Sequence, residues 1–96
     1  MRNLNIVGPQ VRRLRNERGW TQSRLATFLQ VAGWDISRVG LAKIEAQLVW
    51  VGDHQLLRLA AVLKVELKDL YPPMAPGVKM HDHLERKLRR WRPAKK

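Results

Sequence analysis

Two glycines and a proline pair cut the first 73 residues into short segments, and within each segment the apolar side chains recur at helical spacing. Gly19 and Gly33 stand where helices would stop, Gly19 as a cap in the left-handed conformation that glycine adopts at little steric cost. Tyr71-Pro72-Pro73 closes the series, because proline lacks the N–H that a continuing helix needs and restricts the residue before it. No stretch keeps a clean two-residue alternation, so the spacing predicts an all-α chain.

The segments can be placed one by one. Pro9 suits the first turn of a helix that carries Val11 and Leu14 inward and reaches Arg18. Thr21 is an N-cap for a second helix, with Leu25, Ala26, Phe28 and Leu29 as its buried stripe. Trp34-Asp35-Ile36-Ser37 is a turn, and Asp35 and Ser37 both have the chemistry to cap a third helix in which Leu41 and Ile44 share a face. Gln47 to Val51 is an apolar loop. Asp53 is expected to cap a fourth helix with Leu56, Leu57, Leu59, Ala60 and Leu63 mostly inward. A short fifth turn follows around Leu67 to Leu70. Residues 1–73 then form one domain. Residues 74–96 form a linker, Met74 to Gly77, and a basic tail that could be helical over 81–91, with Leu84, Leu88 and Trp91 on one stripe.

A chain of 96 residues builds one modest core, which disfavours a deep cleft between subdomains. The absence of cysteine removes disulfides and thiolate zinc sites. His81 and His83 are two apart and do not share a helix face, so no metal is expected. No glycine-rich phosphate loop and no Ser/His/Asp set surround the histidines at 54, 81 and 83; neither an enzyme nor a cofactor is expected. No apolar run approaches the ~20 residues needed to span a bilayer, and Met1 to Gly8 lacks a secretory signal, so a cytoplasmic protein without membrane partners is expected. Charge is the dominant compositional fact. Nineteen basic residues face eight acidic ones, a net of +11, and an excess of this kind attracts polyanions. Eight of the basic residues and only two of the acidic ones lie in 72–96.

The ordered set Thr21-Gln22-Ser23-Arg24-Leu25-Ala26, Ile36-Ser37 and Leu41-Ala42-Lys43-Ile44-Glu45 resembles the Cro and phage-repressor type of helix-turn-helix domain, as found in xenobiotic-response-element family regulators. The likeness extends upstream to Leu14-Arg15 and Arg18-Gly19-Trp20, and downstream to Leu56-Leu57-Arg58-Leu59-Ala60 and Leu67-Lys68-Asp69-Leu70-Tyr71, about residues 8–72. Two departures stand out. Gln30 to Asp35 lengthens the connection between the second and third helices. Leu48-Val49-Trp50-Val51 replaces the basic or polar residues that many relatives carry there.

The resemblance implies a compact five-helix bundle of the phage-repressor DNA-binding type, with a basic C-terminal extension that could add one extra helix. It implies a sequence-specific DNA-binding transcriptional regulator, a repressor among the possibilities, reading the major groove with a helix at about 37–46. Carried across residue by residue, the base-contacting positions are Arg38, Val39, Ala42 and Lys43. Arg38 has the planar fork that pairs with guanine O6 and N7; Val39 and Ala42 suit a thymine methyl. The phosphate-contacting positions are Thr21, Gln22, Arg24 and Ser37, with a helix N-terminus suiting an anion in its own right. Arg15 and Glu45 match a structural ion pair joining the first helix to the end of the third. Gly40, inside the third helix, costs roughly 1 kcal/mol against alanine and points to a close neighbour, either the second helix or DNA. Trp20 and Trp34 are read as core. Leu48, Val49, Trp50 and Val51 either pack on the domain or join two subunits of a homodimer on an inverted-repeat operator. The tail either adds phosphate affinity or packs as a further dimer helix. An alternative reading is an antitoxin-like or adaptor module that binds a protein partner through the 48–51 loop and the tail.

Overall fold

The computed structural model describes residues 3–73 and 80–90, with side chains in the last helix described from residue 85. Its elements are α1 (Gly8–Glu17), α2 (Gln22–Val31), α3 (Arg38–Glu45), α4 (Asp53–Leu63), a 3₁₀ turn (Leu67–Leu70) and α5 (Met80–Arg90), and the described residues contain no strand. Met74 to Gly77, Trp91 and the side chains of Leu84, His81 and His83, all considered above, lie outside the described residues.

One apolar core joins α1 to α4 and the 3₁₀ turn. Val7, Val11 and Leu14 meet Leu25, Ala26 and Leu29, then Ile36, Leu41 and Ile44, with Leu59, Ala60, Leu63 and Leu70 closing the far side. Trp20, Trp34, Val49, Val51 and Leu56 pack around it half-buried. Each inward side chain of an aliphatic residue contributes on the order of 1.5–3 kcal/mol through burial. Phe28 sits at the rim rather than inside, edge-on to Trp20 with ring centroids 4.9 Å apart. Leu57 is exposed, because it lies two positions from Leu59 and so on the other side of α4.

The helix ends follow local chemistry. Gly19 and Gly33 both adopt positive φ, at +68° and +96°. Thr21 Oγ1 accepts from the Arg24 N–H, and Ser37 Oγ accepts from the Gly40 N–H at 3.0 Å; Asp35 takes no part in capping. At α4 the cap is Gly52, not Asp53. Asp53 is already the first helical residue, where its charge complements the helix dipole, and the Gln55 side chain accepts from the Gly52 N–H at 2.8 Å. The neighbour of Gly40 is the Ile36 side chain in the connecting turn, 3.1 Å from where a Cβ would stand, rather than α2.

Lys64 ends α4 in the left-handed conformation, with φ 57° and ψ 47°. A Cβ is disfavoured there by about 1 kcal/mol. Lys64→Gly is therefore expected to raise the melting temperature by a few degrees in thermal unfolding; a lower value would show that the exposed lysine makes a contact worth more than this strain.

Candidate nucleic-acid interface

α3 is eight residues long and has two unlike sides. Leu41, Ile44 and Glu45 are buried, Ala42 is half-buried, and Arg38, Val39 and Lys43 face solvent. The opening turn is therefore free, with Val39 51% exposed, and Ser37 satisfies one of its otherwise unpaired N–H groups. The connection from α2 holds this turn in place despite its length. Gly33 turns the chain, the Trp34 N–H reaches back to the Leu29 carbonyl at 2.9 Å, and the Gln30 carboxamide donates to the Ile36 carbonyl at 2.6 Å. Buried Ile36 then enters the core just before α3 begins.

The other end of α3 is fixed to the body by a dense polar network. Arg15 Nε donates to Glu45 Oε2 at 2.8 Å and Arg15 Nη2 to Glu45 Oε1 at 3.0 Å, a two-bond fork between two residues that are both less than 9% exposed. The remaining guanidinium nitrogen donates to the Trp20 carbonyl at 2.6 Å. Gln22 Nε2 donates to Glu45 Oε1 at 3.1 Å, which ties the first turn of α2 to the last turn of α3. The sequence-expected pair is thus brought together. Gln22, expected at phosphate, spends one amide donor on Glu45.

Three further residues in this anchor carry no local sequence signal. Asn5 Nδ2 donates to the Ile44 carbonyl at 3.1 Å and to the Val49 carbonyl at 2.9 Å, while its Oδ1 accepts from the Gly8 N–H at 2.8 Å. Gln47, at φ 64°, ends α3 and donates its side-chain amide to the Asn5 carbonyl at 2.9 Å. At Gly8 a Cβ would stand 2.3 Å from the Ile44 carbonyl oxygen, so only glycine lets α1 start against the end of α3.

The remaining candidates occupy distinct places. Thr21 and Arg24 are exposed at the start of α2, with the Arg24 guanidinium 5.7 Å from the centre of the Phe28 ring. The apolar loop divides by alternation: Val49 and Val51 pack against the core, whereas Leu48 and Trp50 point outward, Trp50 72% exposed. Among the described residues no helix is long and apolar enough to cross a membrane.

A helix buried on one side, with its first turn open on the other, is the means by which helix-turn-helix DNA-binding regulators offer side chains to a groove. This chain belongs to the helix-turn-helix family, whose model matches residues 11–70. It is also similar to the restriction-modification controller protein C.AhdI from Aeromonas hydrophila, whose crystal structure superposes with a TM-score of 0.61 at 26% identity, over 72% of this chain and 93% of that one. A search of curated proteins gave no match.

Proposed function

We propose that the protein regulates transcription by binding a specific operator, reading the major groove with the first turn of α3. The observation that carries this reading is the exposure of Arg38, Val39 and Lys43 on a helix whose other side is locked into the core. Arg38 pairs with a guanine edge, Val39 and Ala42 meet thymine methyls, and Lys43 reaches a base or a phosphate. Thr21, Gln22, Arg24 and Ser37 hold the backbone, the first two beside the free N–H groups at the start of α2. Gln22 keeps a carboxamide oxygen and a second N–H for this work while bonded to Glu45. Selection of bound duplexes from a random pool tests the proposal. Enrichment of one motif is expected; recovery of unrelated sequences alone would contradict it.

The protein acts in this reading as a symmetric dimer, with two α3 helices about 34 Å apart on an inverted repeat. Leu48 and Trp50, together with exposed Leu57 on α4, supply apolar surface for the contact. Trp50→Ala is expected to shift sedimentation equilibrium from dimer toward monomer. A wild type that stays monomeric with and without DNA would remove the dimer from the account.

A further inference from the structure

We infer that α5 is a second DNA-binding element, one that grips the phosphate backbone without reading sequence. The inference rests on the DNA reading above but concerns a part of the chain that the family match, residues 11–70, does not reach.

The case begins with charge. Within α5, Arg86, Lys87, Arg89 and Arg90 follow one another with only Leu88 between them, and all are exposed. Among residues 85–90 the only carboxylate is Glu85, which pairs with Arg89 at 2.8 Å. A helix C-terminus welcomes cations, at about 0.3–1 kcal/mol each within the last turn, so one or two basic residues there call for no other reason. Four do. Arg86 stands three residues from Arg89 and four from Arg90, and Lys87 three from Arg90, spacings at which like charges repel. A polyanion relieves that repulsion.

The geometry favours nucleic acid over a lipid surface. At about 100° per residue the four cations cover roughly 160° of the helix circumference. An interfacial membrane helix needs a broad apolar face to bury, whereas the apolar positions of α5, Met80, Leu84 and Leu88, recur once per turn and span only about 80° of the circumference.

The test uses the full chain and two variants. One carries Arg86→Gln, Lys87→Gln, Arg89→Gln and Arg90→Gln, since glutamine keeps helix propensity close to that of lysine and arginine. The other carries Arg86→Lys, Arg89→Lys and Arg90→Lys. Affinity is measured against the pool-selected duplex, an unrelated duplex and phosphatidylglycerol vesicles from 50 to 300 mM salt. Each phosphate contact contributes about 0.9 to the slope of log K against log salt, so the glutamine variant should lose about three to four from that slope on both duplexes. Its binding should fall by about tenfold or more near 0.15 M salt, with the selected motif unchanged. The lysine variant should keep the wild-type slope. An unchanged slope in the glutamine variant overturns the inference, as does a loss seen only with phosphatidylglycerol vesicles. Weakened binding at an intact slope, accompanied by loss of dimer in sedimentation, overturns it too and makes α5 a subunit contact. Failure of the underlying reading looks different: wild type would show no preferred motif, while the slope difference between variants could still be present.

Discussion

Glu45→Ala is expected to destabilise the protein by about 3–5 kcal/mol, because it leaves the Arg15 guanidinium buried without its counter-charge. Arg15 is 8% exposed and cannot swing to solvent without opening the contact between α1 and α3. The substitution also removes the acceptor of the Gln22 amide, so the start of α2 loses its tie to α3. For a domain of this size each kcal/mol lowers the melting temperature by roughly 4–8 °C, which makes a fall of about 12 °C or more the expected reading. A companion variant sharpens the test. Arg15→Met with Glu45→Leu removes both charges and should recover much of the loss, since apolar replacement of a buried pair is often neutral or better. A fall below about 4 °C for Glu45→Ala alone would mean that the pair is not the anchor described here. Operator binding should weaken with stability, because the tilt of α3 depends on this end.

Arg38→Ala should do the reverse, leaving stability almost untouched and striking recognition. The side chain is exposed and has no partner among the hydrogen bonds of the described residues, so the change in stability should stay within about 0.5 kcal/mol. On the preferred duplex a lost bidentate guanine contact is worth about 1–3 kcal/mol, or roughly 5- to 150-fold in affinity. On an unrelated duplex the loss should be far smaller. Equal losses on both duplexes would reassign Arg38 to phosphate.

How much of this was legible before the structure depends on the range of each interaction. Thr21 and Ser37 were legible as caps and Gly19 and Gly33 as helix stops, because those roles are decided within three or four residues. The leucine and isoleucine stripes were legible for the same reason, as periodicity is local. The family match and the all-helical architecture agree with the resemblance read from residues 8–72. Asn5 was not legible: its partners lie 39 and 44 residues away, and nothing near it in sequence marks it as a clamp. Gly8 carries no sequence mark either, because its requirement comes from the end of α3, 36 residues away in the chain. The 48–51 loop read as one apolar patch, yet its extended backbone sends Val49 and Val51 inward and leaves Leu48 and Trp50 outside, a split that needs the position of the core. Aspartate favours the cap position but is equally at home in the first turn, and the sequence at Asp53 does not distinguish the two; the structure has it in the first turn.

The most direct measurement repeats the duplex selection with wild type and with Arg38→Ala under identical salt. The account predicts an inverted repeat for the wild type and, for the variant, the same repeat with preference erased at one base pair in each half-site. An identical motif from both proteins would contradict it, because the opening turn of α3 would then be exposed without touching the bases.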